Sequence, residues 1–245
     1  MTFNLSNIGS TIGLQDNIVP ELSSDSLSKN RIQLEVLRLG RQSFESVWEM
    51  QKKLVKQRKE DSIPDSLILV EHEPVYTIGK NGDENHLLPS RDQDVPVYRI
   101  ERGGDVTYHG PGQLVGYPIL DLHNHRLSVS WYMRSLEEVL IRTLKSFKIR
   151  AERRQGLTGV WVSDNKIASL GVRLSRWITM HGFALNVNTQ LDYFDGIIPC
   201  GLFECGVTSM EHLLGKKWAM GDIENRIERE FRSVFGLQTL KVETK

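Results

Sequence analysis

Cysteine is scarce in this chain: 245 residues contain two, Cys200 and Cys205. That excludes a disulfide-stapled scaffold and a four-ligand zinc site built on cysteine pairs, and it suits a reducing compartment. An excess of one charge is also missing. Lys and Arg total 31, Asp and Glu total 31, and the formal net charge is zero. A polycation that grips nucleic acid by bulk charge is thereby excluded, although a local basic patch is not. No apolar run reaches the roughly 18 residues of a membrane helix. Residues 1–30 are Ser-rich, but they carry Asp16, Glu21 and Asp25, no Arg, and no basic start before an apolar stretch. Neither a secretory signal nor a transit peptide is expected from that pattern. The expected location is cytoplasmic.

What is present suits a folded protein: 39% hydrophobic and 25% charged residues. Residues 1–30 read as a polar N-terminal extension and 31–245 as one domain, with no internal repeat or low-complexity block. Strands are expected near residues 32–37, 67–70, 75–78, 95–100, 114–120, 160–162, 167–172 and 178–187. Phe44, Val47, Trp48, Gln51, Leu54 and Val55 recur at helical spacing, which predicts a helix over 41–59. The longest helical stripe runs from Val129 through Tyr132, Leu136, Val139, Leu140 and Leu144 to Phe147. Thr208 and Glu211 have the spacing of a capping box. Ile223, Ile227, Phe231 and Phe235 step down a last helix, with Gly236 after its end. The fold class is α/β (α+β), a single mixed-sheet domain.

Three segments hold chemistry. Residues 102–113, RGGDVTYHGPGQ, crowd Gly103, Gly104, Gly110 and Gly112 among Arg102, Thr107, Tyr108 and His109. Glycine lets backbone approach a ligand and adopt positive φ. The offsets match neither a Walker loop nor GxGxxG. Composition leaves a ligand-binding loop and a Gly-rich β-hairpin equally open. Lys166 opens the KIASLG run at 166–171, where a solvated surface lysine is the ordinary reading. Cys200 lies between Pro199 and Gly201, in a tight turn rather than inside a strand. Spacing alone does not separate a nucleophile from a packed thiol there.

Taken in order, these segments resemble the lipoyl(octanoyl) transferase family. The likeness runs from about residue 41 to 214. It includes Trp48 and Gln51, EHEPVYTIGK at 71–80, RGGDVTYHGPGQ at 102–113, KIASLG at 166–171, HGFALNVN at 181–188 and PCG at 199–201. Lys166 and Cys200 stand 34 positions apart, as in the family pattern. The resemblance implies the fold of biotin and lipoate protein ligases for the catalytic domain at 31–245. It implies transfer of an octanoyl (or lipoyl) group from acyl carrier protein to a lysine of lipoyl domains. The acceptors would be those of 2-oxoacid dehydrogenases and the glycine cleavage H protein. No cofactor, metal, nucleic acid or membrane is implied.

By the same resemblance the catalytic residues are Cys200, which takes the acyl group as a thioester, and Lys166, which activates it. Substrate contacts fall on Arg102, Gly103, Gly104, Asp105, Val106, Thr107, Tyr108 and His109. Others fall on Ser169, Leu170 and Gly171, and on Gly182, Phe183 and Ala184. A free cysteine titrates near 8.5, and a neighbouring ammonium favours its thiolate. Neutral Lys166 would then serve as general base toward the acceptor amine. The Gly201 region offers backbone N–H groups for an oxyanion hole. The alternatives are an ATP-dependent lipoate or biotin protein ligase on the same fold, which would use no nucleophilic cysteine, and a non-catalytic acyl-carrier-binding protein. Cys205 reads as a packing or loop residue, and His123 with His125 as a solvated turn. Arg173 and Arg176 read either as a solvated face or as a contact for an acidic carrier.

Overall fold

The computed structural model describes residues 32–198 and 206–237. Its central strands are covered on both faces. In β2 (Asp65–His72), Leu67 and Leu69 join one buried cluster while Ile68 and Val70 join another. A strand sends successive side chains to opposite faces, so β2 has to be apolar throughout. The Ile68 and Val70 face meets Val47, Met50 and Leu54 of α1 (Phe44–Lys59). The Leu67 and Leu69 face shares a cluster with α2 (Val129–Ser146) and α4 (Met220–Phe235).

The larger sheet adds β1 (Leu34–Gln42), β6 (Gln113–Ile119), β7 (Glu152–Arg154), β8 (Leu157–Val162), β9 (Asn165–Ser175) and β10 (Ile178–Asn186). Its order is β1-β2-β6-β10-β9-β8-β7, with β11 (Gly206–Val207) paired to β9. β1 and β2 run parallel across the α1 crossover; β2, β6, β10 and β9 pair antiparallel. A second sheet has the order β4 (Val97–Arg99), β3 (Val75–Ile78), β5 (Val106–His109). Its own core holds Tyr76, Ile78, Tyr108, Phe194 and Ile197.

The helices follow from their caps and stripes. Ser43 Oγ accepts from Ser46 N to open α1, and Ser128 Oγ accepts from Trp131 N to open α2. Tyr132, Leu136, Val139, Leu140 and Leu144 of α2 are fully buried. Truncating one such leucine to alanine would cost about 2–5 kcal/mol. α4 ends at Gly236, which holds the left-handed conformation expected of it. Among the described residues no helix is long and apolar enough to cross a membrane.

Several expectations need correction. Arg41 and Gln42 finish β1 rather than start the helix, because Ser43 supplies its cap. Glu71 and His72 belong to β2. The hairpin reading of the Gly-rich segment fails: β5 pairs with β3 and β6 with β2 and β10, so Gly110 and Gly112 carry the chain between two sheets, while Gly103 and Gly104 lie in the loop from β4 to β5. The helix α3 (Met210–Leu214) is capped by Ser209, while Thr208 is buried. Val129 heads the α2 stripe in sequence, yet it is exposed. His125 is no solvated residue: its side chain is 2% exposed and Nε2 lies 2.7 Å from the buried Asp65 carboxylate. His123 does face solvent.

Candidate active site

The Gly-rich loop from β4 to β5 in the small sheet forms one wall of a cleft. Arg102 is held there by its guanidinium: Nη2 donates to Thr77 O at 2.8 Å and Thr77 Oγ1 at 2.9 Å, and Nη1 to Gly103 O at 3.1 Å. Gly104 has φ +90°, a conformation in which a side chain is strained. The opposite wall is β9 at Ser169–Leu170–Gly171 and β10 at Gly182–Phe183–Ala184. At Gly182 a Cβ would fall 2.2 Å from Gly116 O, so glycine alone permits this strand approach.

Arg102, Gly104, Asp105, Val106, Thr107, His109, Ser169, Leu170, Gly171, Gly182, Phe183 and Ala184 all border one cavity. About 580 Å³ within it is free of protein atoms, part of that open to solvent. An adjoining cavity contains Lys166 and Gly103 and shares Gly104, Asp105, Ser169, Leu170 and Gly171 with the first. Tyr108 is the exception among the expected contacts. Its ring turns into the core of the small sheet and stacks on Tyr193 at 4.6 Å, and burial raises its pKa.

Lys166 is 7% exposed, which overturns the solvated reading. Its Nζ lies 4.8 Å from the centre of the Trp161 ring, a cation–π arrangement that keeps an ammonium acceptable in a sparsely hydrated place. Pro199, Cys200, Gly201 and Cys205 lie outside the described residues. Ile198 N donates to His86 O at 2.9 Å. Downstream, Val207 pairs with Lys166, and Thr208 N donates to Lys166 O at 3.0 Å.

Sequence reasoning missed the far end of the first cavity: Phe44, Ile100, Val115, Tyr117 and His181. Three histidines gather there. His109 stacks on Phe44, with centroids 6.3 Å apart, and lies edge-on to His72 at 6.0 Å. Burial pushes His109 down to about 3, aided by neighbouring His72, and pushes His72 and His181 down to about 4. All three are therefore neutral near pH 7. Gln113 Nε2 donates to Tyr108 O and Asn186 Oδ1, so its Oε1 must accept the 2.7 Å bond from His109 Nδ1. His109 is thus protonated on Nδ1. The same bookkeeping makes His72 donate from Nδ1 to Gln42 O and accept from Tyr117 OH at Nε2, 2.8 Å away. The HGFALNVN motif contains His181, and that was the only available signal for it. Arg173 donates to Glu101 Oε1 at 2.8 Å, while Arg176 stands in the exposed β9–β10 turn at φ 52°.

The family model for the lipoyl protein ligase A/B catalytic domain matches residues 43–232. An octanoyltransferase of Solibacter usitatus is 47% identical over 206 residues, covering 82% of this chain and 93% of the relative. In fold, the crystal structure of P. falciparum LipL1 in complex with lipoate superposes with a TM-score of 0.67 at 16% identity, covering 86% of this chain and 65% of that one. The biotin protein ligase of Aquifex aeolicus does so with a TM-score of 0.50 at 12% identity, covering 84% and 70%.

Proposed function

We propose a mechanism from a settled starting point: the chain belongs to the lipoyl protein ligase A/B catalytic-domain family and, with octanoyltransferases as relatives, is an acyltransferase that moves octanoyl groups in protein lipoylation. The proposed donor is octanoyl-acyl carrier protein, and the proposed acceptor is a lipoyl-domain lysine. The observation that carries the mechanism is at β9. The chain that returns from residues 199–205 pairs directly beside Lys166, through Val207.

In the first step the Cys200 thiolate attacks the thioester carbonyl. A new C–S bond forms, the carrier's C–S bond breaks, and the carrier leaves as a thiolate that takes a proton from the Lys166 ammonium, leaving Lys166 neutral. One thioester replaces another, so the exchange is close to isoenergetic and needs no nucleotide. In the second step the acceptor amine attacks acyl-Cys200, the amide bond forms and the Cys200 thiolate returns. Lys166 Nζ takes the proton that the amine sheds. The acyl chain lies in the cavity between the Gly-rich segment and β10. Its walls at Val106, Val115, Phe183 and Ala184 are apolar, and burial there favours an eight-carbon tail by about 0.8 kcal/mol per CH₂.

The test is intact mass after mixing the protein with octanoyl-acyl carrier protein, without nucleotide. A single octanoyl adduct, absent in Cys200→Ala and retained in Cys205→Ala, is the expected result. Modification of lipoyl domain only with ATP and free octanoate would move the chain to the ligase reaction.

A further inference from the structure

Asp105 borders both cavities of the site, and its carboxylate is held by a residue outside it. Oδ2 lies 2.5 Å from His86 Nδ1, and Oδ1 accepts from Asp83 N at 3.1 Å. Both side chains are part-buried, at 25% exposure for His86 and 15% for Asp105. His86 closes a short 3-10 turn, Glu84–His86, that is capped by the Asp83 side chain. Its backbone faces the other way. His86 O accepts from Ile198 N at 2.9 Å, Leu88 N donates to Gly196 O at 3.0 Å, and Leu87 bridges Ile197. One residue thus grips the Gly-rich wall with its ring and, with its carbonyl, Ile198, two positions before Cys200 in sequence.

The chain downstream of residue 205 has its own tie to the same wall. His109 bonds Gln113, Gln113 bonds Asn186, and Asn186 Nδ2 donates to Thr208 O at 3.0 Å. Upstream, Asp105 is reached by the Asp83 backbone amide and by one side chain, that of His86. A displacement of about 1 Å at a reacting atom is enough to cost roughly 100-fold in rate.

We propose that His86 is a positioning residue for acyl transfer: its bond to Asp105 sets the distance between the Gly-rich wall that holds the acyl group and the chain segment that presents Cys200. This rests on Cys200 being the nucleophile, as argued above. The imidazole touches no reacting atom; it acts through Asp105 on one side and Ile198 on the other.

Asparagine places an amide nitrogen where Nδ1 stands, whereas glutamine places it where Nε2 stands. His86→Asn should therefore transfer octanoate at near the native rate, and His86→Gln and His86→Leu should lower kcat roughly 10- to 100-fold with KM for the acyl donor little changed. Asp105→Leu added to His86→Leu should slow transfer hardly further than the worse single change, because both break one bond. Hydrogen exchange at the Ile198 amide should quicken in the Gln and Leu variants and not in Asn. Equal rates in the Asn and Gln variants overturn the proposal, even if His86→Leu does not fold. So does an Ile198 amide that exchanges alike in both. Transfer by the native protein with no adduct on Cys200 would remove the covalent mechanism alone. Exchange and kcat then still decide whether His86 sets the geometry.

Discussion

The two halves of the cleft treat charge in opposite ways. At the far end of the first cavity, three histidines are kept neutral by burial among Phe44, Tyr117 and one another. In the second, Lys166 is also buried but rests its ammonium on the face of Trp161. The strand segment Ser169–Leu170–Gly171 borders both. A neutral end that has already lost its water suits an alkyl chain. A cationic end suits a thiolate and a proton in transit. The contrast lies in what faces each buried group: aromatic rings and an amide for His109, the Trp161 ring for Lys166.

Removing the cation is the strongest way to break this contrast. Lys166→Met keeps the stem that packs near Trp161 and deletes the charge. Transfer should fall by about 10²–10⁴-fold, the usual span of a lost acid–base group, with the melting temperature little changed. Iodoacetamide should trap Cys200 more slowly at neutral pH than in the native protein. Equal trapping rates across pH 6–9 would separate Lys166 from the thiol.

The neutral half is probed by chain length. A butanoyl donor lacks four CH₂ groups, each worth about 0.8 kcal/mol or nearly fourfold, so kcat/KM should drop roughly 200-fold below octanoyl. A shallow dependence would mean that the slot does not close around the tail.

A smaller effect is expected at the shared wall. Gly104 at φ +90° makes Gly104→Val costly by about 1–3 kcal/mol whatever its effect on transfer. Its neighbour Gly103 needs no positive φ and has room, since a Cβ there would meet only Val172 O at 3.5 Å. Gly103→Ala should keep the native melting temperature, so any loss of transfer in it reports crowding of the site. Urea titration of both variants beside their kcat/KM makes the comparison.

The mildest effect is on stability against pH. His72, His109 and His181 stay neutral when native but gain protons when unfolded below about 6.5. Their depressed pKa values mean that stability is full above about 6.5 and declines as pH falls toward about 4. Each one contributes a slope of about 1.4 kcal/mol per pH unit in that window. His109→Gln should flatten the decline by one such increment between pH 6 and 4.5 in chemical denaturation. An unchanged slope would mean that His109 is charged in the native state.

Much of the cleft was legible beforehand because its walls are built from contiguous motifs. The glycines at 103 and 104 carry a local reason to lie near a ligand, the KIASLG and HGFALNVN runs were marked by the family resemblance alone, and all three meet in space. Phe44, Tyr117 and Ile100 carry no such reason. They read as ordinary core residues on a helix, a strand and a strand end, and only the approach of α1 to β6 and of the small sheet to both turns them into a cavity floor. Tyr108 failed in the reverse direction. It sits inside the motif, but strand alternation sends its ring to the opposite face from Thr107.

The order of apolar residues by itself determined the elements, their caps and the glycines that let backbones close on one another, because periodicity, side-chain capping and φ are local properties. The tertiary structure alone decided that β5 leaves β6 for a different sheet, that His109 meets Phe44 and His72, and that His86 spans from Asp105 to Ile198. Those facts depend on which strands become neighbours, and with that on where water is excluded. Desolvation and hydrogen bonding between residues distant in sequence set charge and geometry at the site, and no local pattern encodes either.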